Sequence, residues 1–167
     1  PKNDKEIEAV VKVLKAVRKS REWNRFTEHY RTDGEIGIIS FYSAQIAGIR
    51  EALKREPELD DVRMRVRTVD RFQGMEKDIV IVSLVRSARE RGQDGKTAKT
   101  QSIGFAKDYR RINVAFSRAR RLLVIVGDQR HFSGFRANDE SSGIYATVLQ
   151  EVRRARGDRS LEQLESA

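Results

Sequence analysis

Residues 62–85 read VRMRVRTVDRFQGMEKDIVIVSLV, two strand-forming runs joined by a Gln-Gly turn. The first run, Val62 to Val69, alternates. Val62, Met64 and Val66 share one face and Arg63, Arg65 and Arg67 the other, as in a half-buried strand. The second, Asp78 to Val85, is β-branched without alternation, which suits a strand buried on both faces of a parallel sheet. Outward from this stretch the same kinds of segment recur. Ile36–Phe41 is a short apolar run leading to Ser43, the expected N-cap of a helix carrying Ile46, Ile49 and Leu53, with Pro57 just beyond. Leu122–Val126 (LLVIV) is another unalternating run, expected to be buried on both faces. Between the last two strands, 86–100 reads as a polar loop and Asp108–Arg120 as a helix.

At the amino-terminal end, Asn3 caps a helix whose stripe is Ile7, Val10, Val11, Leu14 and Val17, with Glu6 placed for a capping box. Residues 21–34 are polar with scattered aromatics, a loop or short helix ending in the turn signal Asp33-Gly34. A last amphipathic helix is expected over Ile144–Arg156, where Ile144, Val148 and Val152 form a packing stripe. Strands alternating with helices specify an α/β fold with a mainly parallel sheet and helices on both faces. One domain over 1–156 and a polar tail over 157–167 are expected. In such sheets ligands bind outside the carboxyl ends of the strands. Chemistry is therefore sought at Ser40-Phe41-Tyr42, Asp70–Glu76, Arg86-Ser87 and Gly127-Asp128.

Composition narrows the function. The chain has 167 residues and a formal net charge of +9, with 35% charged and 38% hydrophobic residues, the balance of a globular protein. Without cysteine there is no disulfide, thiolate metal site or thiol nucleophile, and two histidines, His29 and His131, leave little for a metal centre. No apolar run approaches the roughly 20 residues of a membrane helix. No signal peptide opens the chain, which starts at Pro1 in place of Met and reads as a piece of a longer, cytoplasmic or (in a eukaryote) nuclear protein. From Arg86 to Arg121 there are eleven Lys/Arg and three Asp/Glu, so these 36 residues carry +8 and the other 131 only +1. Such concentration points to a polyanion partner.

Three segments could meet one. In Gln73-Gly74-Met75-Glu76, glycine lets the backbone approach a phosphate and the carboxylate can accept ribose hydroxyls. On composition alone an ordinary strand-turn-strand connection with solvated charges is the better reading. In RRINVAFSRARR (110–121), continued as a helix, Arg111, Arg118 and Arg121 follow at spacings of seven and three, a cation cluster expected at the carboxyl edge of the sheet. In GIISFYSAQ (37–45), a strand delivers a hydroxyl and a ring into a helix start.

Together and in this order the segments resemble the second RecA-like domain of superfamily 1 helicases, in the Upf-like and Sen-like branch. GIISFYSAQ is similar to motif IV, VRTVDRFQGMEKDIVIVSLVRS (66–87) to motif V, and IGFAKDYRRINVAFSRARRLLVIVGD (103–128) to motif VI. The resemblance spans about residues 35–128 and departs at Ser40-Phe41, where the family more often has Thr-Pro. It implies a RecA-like three-layer fold and an ATP site shared with a first RecA-like domain. Arg118 would be the arginine finger, Gly74 would face the γ-phosphate, Glu76 would bind the ribose, and Gln73 would sit beside the phosphates. Arg111 and Arg120 would position the helix or contact phosphates. Ser40, Tyr42 and Thr68 would contact the backbone of single-stranded RNA or DNA. ATP and Mg²⁺ are implied for the full-length protein, with the Mg²⁺ ligands outside this chain. Gly95-Lys96-Thr97 imitates a Walker A ending, but the pattern needs glycine at 90, where Glu90 stands.

Two other readings use the same residues. A basic module could bind nucleic acid without any ATP role, but the Gln-Gly-x-Glu turn would then be unexplained. A nuclease could use Asp78 with Asp94-Gly95-Lys96, except that the latter falls in a Gly-rich polar loop where the pattern needs a strand.

Overall fold

A computed structural model describes residues 1–30, 35–86, 104–133, 142–155 and 157. Four strands, β1 (Ile36–Ser40), β2 (Met64–Thr68), β3 (Lys77–Ser83) and β4 (Ala119–Val126), form an all-parallel sheet in the order β2-β1-β3-β4. Alternate residues of the central strands feed two cores. Ile36, Ile38, Ile79 and Ile81 meet Ile7, Val10, Leu14, Trp23 and Ile49 on one face. Ile39, Val80 and Val82 meet Phe72, Ile112, Ala115, Phe132 and Tyr145 on the other. Helices α1 (Asp4–Lys19), α2 (Arg21–Tyr30) and α3 (Ser43–Leu53) supply the first layer. Helices α4 (Tyr109–Phe116), α5 (Gln129–Ser133) and α6 (Ser142–Arg154) supply the second. This is the three-layer α/β arrangement expected from the sequence.

Several local expectations are corrected. β3 is buried along both faces, but β4 is an edge strand, half-buried, with Leu122 46% exposed. It pairs only with β3 among the described residues, so an unalternating apolar run does not guarantee two covered faces. The predicted helix to Arg120 ends four residues sooner, at Phe116. Ser117 leaves helical geometry at φ −84°, ψ 2°, and the Arg118 carbonyl accepts from Lys77 N–H at 3.0 Å, which draws the chain into the sheet. Tyr42, not Ser43, occupies the N-cap of α3. Residues 21–30 are helical, with Trp23 buried against Phe26, whose ring lies 5.6 Å away. The Asp33-Gly34 turn, the loop with Asp94 and Gly95-Lys96-Thr97, Ser87 and almost all of the tail lie outside the described residues.

The capping box at Asn3 is half made. Its side chain accepts from Glu6 N–H at 3.3 Å, as expected. Glu6 does not reciprocate to the Asn3 backbone N–H, which instead donates to Gln45 Oε1 at 2.8 Å. The Glu6 carboxylate is shared: Oε1 accepts from Asn3 Nδ2 at 3.3 Å, and Oε2 turns to the end of β3.

Candidate functional site

The strand order places a topological switch between β1 and β3, because α3 leaves β1 on one face and α4 follows β3 on the other. A crevice at their carboxyl ends is the usual consequence. Here that crevice is filled from within. Ser40, Gln45 and Ser83 are fully buried and Glu6 is 5% exposed. Ser40 Oγ donates to the Ser83 carbonyl at 3.0 Å, and Gln45 Nε2 donates to Ser83 Oγ at 3.0 Å. Ser83 Oγ donates in turn to Glu6 Oε2 at 2.6 Å, and Val85 N–H donates to the same oxygen at 2.8 Å. Burial pushes the Glu6 carboxyl up to about 7, against the hydrogen bonds from Ser83, Val85 and Leu84 that favour its charged form. The network also holds Val85 at φ 75°, a left-handed conformation that a β-branched residue adopts only under constraint. Asn3 Nδ2 secures the same residue by donating to its carbonyl at 3.1 Å.

Arg86, next along the chain, turns onto Tyr42. Its Nε donates to the Tyr42 hydroxyl at 3.2 Å, and Phe105 N–H donates to that hydroxyl at 3.1 Å. The intervening Gly104 has φ 61°, and a Cβ there would run into the Tyr42 hydroxyl. Of the three residues expected at the nucleic-acid backbone, Ser40 and Tyr42 are therefore buried with their hydroxyls occupied. Thr68, at the end of β2, is half-buried.

The motif V turn runs back from the end of β2 to the start of β3. Gln73 (φ −57°, ψ 135°) and Gly74 (φ 79°), closed by Met75 N–H donating to the Phe72 carbonyl at 3.1 Å, make a type II turn, which needs positive φ at its third residue. Fully buried Phe72 anchors it, while Gln73, Gly74 and Glu76 are exposed. A Cβ on Gly74 would meet nothing within 4 Å, so the backbone there faces open space.

The arginines do not gather at the carboxyl edge, which corrects the expectation from helical spacing. Because α4 runs antiparallel to the strands and ends at Phe116, Arg118, Arg120 and Arg121 lie at the amino edge, where β4 begins. Arg111 alone stays near the carboxyl edge, its Nε 3.1 Å from Asp70 Oδ1 and 3.9 Å from Asp108 Oδ2. Arg120 pairs with Glu35 at 3.2 Å and Asp78 at 3.6 Å. Arg121 shares Asp78 at 3.6 Å and lies over the Phe26 ring, 4.4 Å from its centroid. Glu35 also takes Lys77 at 2.9 Å, and that hydrogen bond, more than the Arg120 charge, holds its carboxyl below the usual range.

Arg118 differs from the other three. Its Nε donates to the Val114 carbonyl at 3.1 Å and its Nη2 to Ser117 Oγ at 2.8 Å. Among the described residues no carboxylate pairs with it. The Lys77 N–H bond to its carbonyl fixes it beside the residue that follows Glu76. Sequence reasoning reached this segment and the turn but missed Glu6, Gln45 and Ser83. The local signals were Asn3-x-x-Glu6, already explained as a cap, and the places of Gln45 and Ser83 inside the motif IV-like and motif V-like stretches, which gave neither residue a role. Among the described residues no group of three or more His, Asp or Glu converges as for a metal ion, and no helix is long and apolar enough to cross a membrane.

A parallel sheet between two helical layers, with an exposed Gln-Gly-x-Glu turn bonded to an arginine segment, defines a RecA-like domain of helicase type. The family model described as an AAA domain matches residues 1–130, and the chain belongs to that family, in the Upf-like and Sen-like branch of superfamily 1 helicases. It is 42% identical over 96 residues to DNA polymerase alpha-associated DNA helicase A of Saccharomyces cerevisiae, covering 58% of this chain and 12% of that protein. It is 38% identical over 99 residues to ATP-dependent helicase NAM7 of the same yeast, covering 58% of this chain and 9% of the relative. Helicase SEN1, also from that yeast, is 36% identical over 109 residues, covering 65% of this chain and 4% of the relative. The chain thus spans about an eighth or less of the length of these relatives.

Proposed function

We propose that this chain is the second motor domain of an ATP-dependent helicase acting on single-stranded RNA or DNA. The observation that carries the reading is Arg118: a guanidinium without a carboxylate partner among the described residues, its carbonyl bonded to the N–H of Lys77, directly after the exposed Gly74 and Glu76. Arg120, Arg121 and Arg111 are already neutralised by aspartate or glutamate, whereas Arg118 keeps its charge for an incoming anion.

In this reading a first RecA-like domain of the same polypeptide brings ATP and Mg²⁺ against the amino edge. Mg²⁺ would neutralise the triphosphate there, held by that first domain. Arg118 leaves its neutral partners, Val114 carbonyl and Ser117 Oγ, for the transferred phosphoryl group and stabilises the charge spreading over its oxygens. Exchanging a carbonyl and a hydroxyl for an oxyanion strengthens the hydrogen bonds that it makes. The Gly74 backbone faces the γ-phosphate, with Gln73 beside it, and Glu76 accepts from the ribose hydroxyls. Arg120 acts as a positioning residue, bracing the starts of β1, β3 and β4 through Glu35 and Asp78. Arg111 ties the α4 start to Asp70. The nuclease reading loses support because Asp78 is engaged by Arg120 and Arg121.

The test is made in the parent helicase. Arg118→Ala should lower ATP turnover by about 10³-fold or more, while single-strand affinity without nucleotide is unchanged. Equal loss of both would reassign Arg118 to nucleic-acid binding. The isolated chain, lacking a Walker A loop in its sequence, should hydrolyse no ATP; robust Mg²⁺-dependent hydrolysis by it would overturn the shared-site reading.

A further inference from the structure

Two large side chains stay exposed at the carboxyl edge for no reason that folding supplies. Phe105 is 54% exposed and Tyr109 45% exposed, and they are two of the three exposed large hydrophobic residues among those described. The Phe105 ring is held in place. Phe105 packs on the buried Tyr42 ring at 5.5 Å, and its backbone N–H is fixed by the Tyr42 hydroxyl at 3.1 Å. The next residue, Ala106, is fully buried, with its carbonyl accepting from the Tyr145 hydroxyl at 2.7 Å.

Each ring also carries a cation. Arg111 lies over Phe105, 5.1 Å from the centroid, and Arg110 over Tyr109 at 5.7 Å. Arg86 lies over Tyr42 at 5.6 Å. Lys107 adds a further positive charge on the same short segment. Opposing them are Asp70, paired with Arg111, and Asp108, whose side chain accepts from Arg110 and Arg111 N–H as the cap of α4. The surface is therefore aromatic and net positive, with Phe105 fixed on Tyr42.

We propose that Phe105 and Tyr109 are a stacking platform for the bases of a single strand, with Lys107 and Arg110 attending its phosphates. The proposal deepens the helicase reading and rests on it. Charge complementarity selects this occupant: exposed rings interleaved with guanidiniums suit a polyanion whose bases offer flat faces. Stacking reads neither base identity nor a ribose 2′-hydroxyl, so the platform serves RNA and DNA alike.

The experiment measures binding of the 167-residue chain to two fluorescein-labelled strands of equal length, oligo-dT and its abasic counterpart, which has the same phosphates without bases. Phe105→Ala should weaken oligo-dT binding by roughly 5- to 150-fold, the loss of one base–aromatic stack. The abasic strand should bind unchanged, and the salt dependence should not alter. Phe105→Leu, which keeps apolar bulk at the same backbone, should lose most of the same affinity, and Phe105→Trp should retain it. Lys107→Ala should weaken both strands alike and reduce the salt slope by about one. Oligo-U should show the same Phe105→Ala loss as oligo-dT. An equal effect of Phe105→Ala on both strands, or none on either, overturns the platform alone. Failure of the native chain to bind either strand at low salt overturns the nucleic-acid reading and the platform with it.

Discussion

Glu6→Gln isolates the most unusual charge in the structure. The carboxyl lies in the crevice between β1 and β3, and burial raises it from 4.5 to about 7. Below 4.5 it is protonated whether the chain is folded or not, and it contributes nothing to pH dependence. Between 4.5 and about 7 the folded protein holds a proton that the unfolded chain releases. Stability therefore falls as pH rises through that window, and the loss is complete above it. At about 1.4 kcal/mol per pH unit, the full loss is on the order of 3 kcal/mol. Glutamine keeps an oxygen for Ser83 Oγ and Val85 N–H but cannot titrate. Urea unfolding of the 167-residue chain at pH 5, 6, 7 and 8 should thus show the native protein losing stability relative to Glu6→Gln as pH rises. Most of the change should come between pH 5 and 7. Parallel stability curves for the two proteins would refute the reasoning, because Glu6 would then not change protonation on folding.

Other substitutions separate backbone, packing and charge. Gly74→Ala should cost about 1–2 kcal/mol in chemical denaturation, a purely conformational penalty at φ 79°, since its Cβ would meet no atom within 4 Å; Gly74→Asn should cost less. Gly104→Ala should cost more than Gly74→Ala because the new methyl also collides with the Tyr42 hydroxyl, and Tyr42→Phe in the same chain should restore part of the loss in a double-mutant cycle. Arg120→Ala removes partly exposed ion pairs, so thermal and urea unfolding should shift by less than about 1 kcal/mol. In the parent enzyme it should lower ATP turnover far less than Arg118→Ala, and a comparable loss would make Arg120 a direct phosphate ligand.

How far the sequence could be read depended on whether a feature was local. The β3 run and the type II turn are encoded by adjacent residues: apolar burial needs the unbroken DIVIVS, and Gly74 supplies the positive φ that the turn demands. The end of α4 was illegible because it is set by Lys77, forty-one residues before Arg118, donating across the sheet. With the helix shortened, every inference from helical spacing about Arg118, Arg120 and Arg121 moved to the opposite edge. Their partners were equally remote, since neither Glu35 nor Asp78 lies near them in sequence. Glu6 was hidden for a different reason. Its spacing from Asn3 already had a sufficient local explanation, and nothing in a linear pattern says that a capping carboxylate will turn inward to a strand. Ser40 looked available because a hydroxyl at a strand end usually is; the Ser83 carbonyl beside it decided otherwise.

The bond from Lys77 N–H to the Arg118 carbonyl joins two main-chain atoms that the genetic code scarcely touches. Any residue but proline at position 77 still offers that N–H, and every residue at 118 offers that oxygen. The spacing between the turn and the arginine is thereby shielded from point mutation, whereas a one-residue insertion or deletion between Gly74 and Lys77, or between Phe116 and Arg118, would dislocate it at once. Drift in this lineage is free to rewrite the side chains around the pair but not to change the count of residues that brings them together.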